Sequence, residues 1–436
     1  MALLHIVHCI DTEGPLTETL EATFGRLHMC FGIDLAPNAE TLAKLQRAEI
    51  PLHGQEAAVA HMLSPELLAY NSSWNAIDSM LDELLSPAFR ERMRDDEGGG
   101  WVYSWHCMDH MRYAENPRHK DVGYGNVFRF YRNALRRRGI IRDEINWHFH
   151  PYSVTRNPLH AATSYVGSYD TLAEIIGRRI LEDDWFPVTN RPGFHAERPD
   201  SHLFLEQWLP FDYANQAHED EAERPDLSGG RFGDWRRAPR SWRGYRPSHD
   251  DHQVPGNCKR WIFRCLNVGA RFRELRPNHL REAFGEAAAT GKAILAFTDH
   301  DYRDIRRDVE AVRTMLAQVR PEFPQVRVRY SGAEAAARDL LGISGHPLPR
   351  LSISVQEGRA VIRLEAGEIF SSQPFLVMRT HEGRVLHDNL DVQEPDRLWT
   401  YCLDDQTLLP EALETIGVGA AGRWGGYAVA KTDGLT

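Results

Sequence analysis

The sequence predicts an α/β chain with a parallel sheet or barrel, followed by a small all-β domain. Three observations carry this reading. Over residues 1–342, short apolar runs suited to buried strands alternate with stretches of helical sequence. Several of those runs end in ionisable residues, Asp11, His106, His148 and Asp299. The C-terminal strand ends of parallel folds carry their ligand sites. Over residues 350–436, Arg350-Leu-Ser-Ile-Ser-Val, Arg359-Ala-Val-Ile-Arg-Leu and Phe375-Leu-Val-Met-Arg alternate apolar with polar residues, and Glu357-Gly358 and Glu382-Gly383 stand between such runs as turns. That is the pattern of an antiparallel, sandwich-like domain.

The elements follow in order. Residues 3–10 read as a buried strand, and residues 38–94 as a long helical region in which Ser64-Pro65-Glu66 and Ser86-Pro87 are helix starts. Gly98-Gly99-Gly100 breaks it, and Trp101 to His106 reads as a second strand. Helical sequence from Asn126 to Arg138 leads to a third strand, Ile145 to His150. Residues 169–183 and 201–208 read as helices, with Phe194-His-Ala-Glu197 a strand end between them and Pro210 to Tyr213 after them. The charged, Gly- and Pro-rich stretch from His218 to Asp251 reads as a long loop. Residues 280–289 and 306–319 are helical, and 293–298 and 326–330 are strands.

Composition narrows the function classes. Lys and Arg number 51 against 62 Asp and Glu, a net charge of −11, which disfavours nucleic acid as a partner. No apolar run approaches the ~18 residues that cross a bilayer. The apolar start lacks a basic segment and meets Asp11 and Glu13 at once, so the expected location is cytoplasmic. Six cysteines without a CxxC pair read as free thiols. Arg231, Arg236, Arg237, Arg240, Arg243 and Arg246 crowd one segment with Trp235, Trp242 and Tyr245. They read either as a solvated loop or as a rim, with Arg236, Arg237 and Trp242, that grips an anionic substrate.

Three clusters carry the chemistry. Asp11-Thr12-Glu13-Gly14-Pro15 places two carboxylates at a strand end, enough for a metal ligand and a base. His148-Phe149-His150-Pro151 can turn two imidazoles toward one cation if the chain bends at the proline. Phe297-Thr-Asp299-His300-Asp301 delivers a histidine flanked by carboxylates, a group suited to proton transfer. His106, Asp109 and His110 form a secondary set of ligand candidates. No GxGxxG, Walker or GxSxG motif is present, and metal-assisted hydrolysis is what the acid and His clusters can support.

Asp11-Thr12-Glu13, His148-Phe149-His150-Pro151 and a late strand ending at His300 resemble the polysaccharide deacetylase (NodB homology) family, in the divergent branch with Asp-Thr-Glu and His-x-His-Pro motifs. The resemblance runs over roughly residues 3–340 and implies a distorted (β/α) barrel that removes acetyl groups from amino sugars with one divalent metal. It implies zinc first, with nickel, iron or cobalt as alternatives. By the same resemblance Asp11 is the catalytic base, Glu13, His148 and His150 hold the metal, His300 protonates the leaving amine, and Arg198 orients Asp11. Thr12 separates carboxylates that are adjacent in the family's usual motif, and His106 and His110 keep the family's longer His spacing as a rival pair. The implied substrate is a carbohydrate or sugar nucleotide of surface-polysaccharide synthesis; homo-oligomerisation is left open.

Two rivals stand beside it. Thr298-Asp299-His300-Asp301 with His148-x-His150 also resembles metal-dependent phosphoesterases of the polymerase-and-histidinol-phosphatase type, which need several metals. A degenerate, non-catalytic carbohydrate-binding barrel is the third reading.

Overall fold

The computed structural model describes residues 2–112, 118–119, 122–156, 164–219, 233–270 and 272–433. Seven parallel strands close into a barrel: β1 (Ala2–Thr12), β2 (Tyr103–Cys107), β3 (Glu144–Phe149), β4 (Thr189–Pro192), β5 (Phe211–Asn215), β6 (Trp261–Asn267) and β7 (Lys292–His300). β1 is buried on both faces, which explains its nearly unbroken apolar run. β7 pairs with it from Leu3 to Asp11. Its other edge is divided. β8 (Val326–Tyr330) takes Ala2–Ile6, and β2 takes His8–Thr12.

Helices fill the connections. α1 (Leu20–Phe31), α2 (Ala39–Gln46), α3 (Glu56–Met62), α4 (Trp74–Leu84) and α5 (Pro87–Arg90) link β1 to β2, and α6 (Asn126–Arg137) links β2 to β3. α7 (Tyr169–Asp183) and α8 (Pro199–Trp208) flank β4. α9 (Pro277–Thr290), α10 (Ile305–Val319) and α11 (Ala333–Leu340) follow β6, β7 and β8. Ser86 caps α5 through the Phe89 N–H at 3.2 Å, as its Ser-Pro pair predicts. No helix of the described residues is long and apolar enough to cross a membrane.

The C-terminal segment forms two four-stranded antiparallel sheets. One has the order β13-β14-β10-β9, from β9 (Arg350–Gln356), β10 (Arg359–Ala366), β13 (Asp391–Glu394) and β14 (Leu398–Cys402). The other has the order β12-β11-β15-β16, from β11 (Phe375–Thr380), β12 (Val385–Asp388), β15 (Leu413–Ala421) and β16 (Tyr427–Asp433). Ile362 and Trp399 from the first sheet meet Leu376, Ile416 and Val418 from the second in one buried core. The outer face of the second sheet docks on α7. There Gly177 lets the surfaces touch, since a Cβ at this position would sit 2.6 Å from Val377 Cγ2. This is why α7 is buried on most of its circumference.

Several expectations need correction. The region 38–94 is four helices with turns between them, and Ser64-Pro65-Glu66 starts a turn rather than a helix. Phe194-His-Ala-Glu is not a strand end: β4 finishes at Pro192, and Gly193–His195 form a 3-10 turn in which Phe194 and His195 take φ of 56° and 50°. β6 escaped prediction because Arg264 and Asn267 interrupt its apolar pattern; both are buried. The expected loop from His218 to Asp251 lies partly outside the described residues, as does Arg231. The six cysteines are free thiols.

Between the barrel and its outer helices, the Trp101 indole donates to His8 Nδ1 (3.1 Å), so the ring's own proton sits on Nε2, facing Asp299 Oδ2 at 2.9 Å. Burial pushes the His8 pKa down to about 3. The fold therefore holds it neutral, while an unfolded chain protonates it near pH 6.5. Its contribution is complete above that pH and is lost as pH falls from about 6.5 toward 3. Urea unfolding at pH 7.5 and pH 5.0 should show a loss of about 2 kcal/mol from this group at the lower pH. His8→Gln should lack that increment, and an unchanged pH slope in the variant would refute it.

Candidate metal centre

The strand register gathers the site. Asp11 lies opposite both His106 of β2 and His300 of β7, and His148 of β3 lies opposite Arg191 of β4. Parallel strands thus bring side chains far apart in sequence to one layer at their C-terminal ends. A cavity of about 220 Å³ opens there, and Asp11, Glu13, His148, His150 and His300 all line it.

Glu13, His148 and His150 converge. His148 Nε2 and His150 Nε2 are 2.8 Å apart, and Glu13 Oε1 lies 4.0 and 3.6 Å from them. Ligands of a tetrahedral zinc with ~2.1 Å bonds stand roughly 3.4 Å from one another, so the spread fits one such ion. The tautomer fits as well. His148 Nδ1 donates to the Arg191 carbonyl (2.7 Å), leaving the Nε2 lone pair directed at the cluster. His150 is held by contact. A Cβ on Gly193 would lie 2.5 Å from its ring, so only glycine leaves the imidazole room.

Glu13 is fixed through its main chain. Its N–H donates to Asp301 Oδ1 (2.9 Å), and its carbonyl accepts from His110 Nε2 (2.8 Å). Asp301 also accepts the Gly14 N–H (3.0 Å) and the Tyr131 hydroxyl (2.9 Å). Asp301 and His110 are thus positioning groups for the turn after β1. His119 Nε2 reaches Glu13 Oε2 at 3.1 Å.

Asp11 is paired with arginine. Arg191 Nε and Nη2 donate to its two oxygens at 2.7 and 3.0 Å, and both residues are buried. Burial alone would raise the Asp11 pKa, but the Arg191 guanidinium, with His148 and His300, outweighs it and holds the carboxyl well below its usual range. His300 Nε2 stands 4.0 Å from Asp11 Oδ2 and 3.9 Å from Glu13 Oε1. Burial lowers the His300 pKa to about 4 against the pull of both carboxylates, so the ring is neutral at pH 7. Tyr302 lies beside it, 4.8 Å between ring centroids.

The structure brings together Asp11, Glu13, His148, His150 and His300 and separates the other candidates. Arg198 does not reach Asp11; it stands before α8 with its guanidinium on the Glu197 carbonyl, and Arg191 takes the place expected of it. Arg191 eluded the sequence reading because β4, Thr-Asn-Arg-Pro, carries no apolar signal. His106 and His110 are not a ligand pair. His106 is wholly buried in β2 with Nδ1 on the Trp147 carbonyl, and His110 serves the Glu13 backbone. Asp109 is bound bidentately by Arg179 at 2.7 and 2.8 Å. Asp299 faces His8.

The arginine segment does not rim the cavity either. Arg236 pairs with Asp234 and Arg237 with Asp251, while Trp242 is buried under Arg264, its carbonyl bonded to Ile294 near the opposite end of β7. His218, Glu219 and His279 form a second His/Glu group. There His279 Nδ1 accepts the Arg276 N–H, so Nε2 is the donor in its 2.7 Å contact with Glu219, an ordinary hydrogen bond.

Comparison with protein families, with curated proteins and with solved structures found no match to this chain.

Gly193→Ala should displace the His150 ring. Zinc affinity, followed by competition with a chelator, is expected to fall tenfold or more. Wild-type affinity in the variant would show that His150 is not a ligand.

Proposed function

We propose that this chain is a metal-dependent hydrolase that removes an acyl group from nitrogen, most simply an N-acetyl group of an amino sugar or of a sugar intermediate in surface-polysaccharide synthesis. The observation that carries this reading is the convergence of Glu13, His148 and His150 beside an ionised Asp11 and a neutral His300 in one cavity. The motif resemblance to polysaccharide deacetylases supports the choice of substrate.

A divalent cation held by Glu13, His148 and His150 would supply Lewis acidity to the amide carbonyl and to the attacking water. Asp11, ionised and oriented by Arg191, accepts the water's proton as the new C–O bond forms. His300, neutral when free, receives that proton from Asp11 at Nε2, which stands 4.0 Å from Asp11 Oδ2, and delivers it to the nitrogen as the C–N bond breaks, so that carboxylate and amine leave and Asp11 is again ionised. A several-metal phosphoesterase would need Asp299 and Asp301 among its ligands. Asp301 instead binds the Glu13 and Gly14 amides, and Asp299 binds His8.

Purified protein should carry about one zinc, nickel, iron or cobalt per chain, and His148→Ala with His150→Ala should lose it. Absence of metal from the wild type would move the assignment to a binding role, and two or three ions to the phosphoesterase. On an N-acetylated amino sugar, His300→Asn should retain the metal while kcat falls about 10²–10⁴-fold. Unchanged turnover would remove His300 from the mechanism.

A further inference from the structure

The cavity's charge does not suit a neutral sugar. Besides the metal-site groups, its wall carries four guanidinium groups, Arg26, Arg118, Arg273 and Arg303. Of the two carboxylates on that wall, Asp11 is committed to Arg191 and Glu13 to the ligand cluster. Arg26 and Arg118 share a single carboxylate behind them, Glu18, which also accepts the Thr23 and Tyr70 hydroxyls. One positive charge is therefore left over at that pair.

Arg303 sits on the same wall. It is 7% exposed, bonds the Gly269 carbonyl at 2.7 Å and lies 5.2 Å from the Tyr302 ring centre. It also feels the buried carboxyls of Asp299 and Asp308. Arg26 Nη1, Arg118 Nε and Arg303 Nε are buried and have no hydrogen-bond acceptor among the described residues. Tyr302 joins the two regions, because its ring neighbours His300 on one hand and the Arg303 guanidinium on the other.

We infer that the cavity takes an anionic substrate, whose oxyanion, phosphate ester or carboxylate, is held by Arg26, Arg118 and Arg303 while the acyl group lies at the metal centre. Guanidinium forks recognise both oxyanions by paired hydrogen bonds. The inference rests on the hydrolase reading for the position of the acyl group, but its test reads binding alone.

The test uses the zinc-loaded full chain in titration calorimetry with three probes: N-acetylglucosamine, N-acetylglucosamine 1-phosphate and N-acetylmuramic acid. At least one anionic probe should bind tenfold or more tightly than the neutral sugar, with an affinity that falls as salt is raised. The phosphate and carboxylate probes identify which oxyanion is preferred. In Arg26→Gln with Arg118→Gln, checked for zinc content and melting temperature, that ratio should drop toward one. Should the double variant not fold, Arg118→Gln alone serves, since the Arg118 side chain is 24% exposed. Equal affinity for all three probes overturns the inference. A preference that survives the substitutions overturns it too, because it would come from the zinc. Charge preference without hydrolysis would leave the inference standing and remove the deacetylase reading.

Discussion

Arg191 sets the site from both ends of one residue. Its guanidinium binds both oxygens of Asp11, and its carbonyl takes the Nδ1 proton of His148. The same guanidinium reaches the Tyr213 carbonyl on β5 (2.5 Å) and His195 Nδ1 (3.0 Å). A single side chain thus ties β1, β4 and β5 across the barrel interior while its backbone fixes the tautomer of His148 on β3. Removing one member of such a buried pair costs about 3–5 kcal/mol, because the remaining charge has no water to turn to. The pair is therefore a structural constraint before it is a chemical one.

Around it, burial decides protonation. His106, His110 and His150 all sit in surroundings that push their pKa down to about 3, and desolvation is the largest cause in each. An imidazole can hold a cation only when neutral, and burial keeps the cavity-lining His150 so at neutral pH. The outer groups act mechanically. Asp301, Tyr131 and His110 hold the backbone of the turn that presents Glu13, so a carboxylate on a loop acquires the fixed position of one on a strand.

Much of this was legible in the sequence. Apolar runs ending in ionisable residues located β1, β2, β3 and β7, and alternation located the C-terminal sheets. The same strand ends supplied Asp11, Glu13, His148, His150 and His300. What could not be read was partnership. Arg191 lies in a four-residue strand with no apolar pattern, and only its register opposite His148 shows its role. Arg236 and Arg237 were conspicuous as a cluster but neutralise local carboxylates. The arginines on the cavity wall are scattered over some 280 positions, and no local motif marks them. Asp301 looked like chemistry because it adjoins His300, yet it acts on backbone amides. Composition reveals which groups exist; tertiary pairing decides which are engaged.

The divided edge of β1 has a consequence for how the molecule is made. β1 finds its full-length neighbour in β7, about 290 residues later, and the neighbour for its lower half in β8. Such non-local pairing is slow to form. On the ribosome β1 emerges as an apolar ribbon with both edges unpaired, and it must be kept from other chains until nearly the whole barrel has been translated. Asp11 and His300 become neighbours only at that closure, so the carboxylate and imidazole at the mouth of the cavity meet in the same event that seals the barrel.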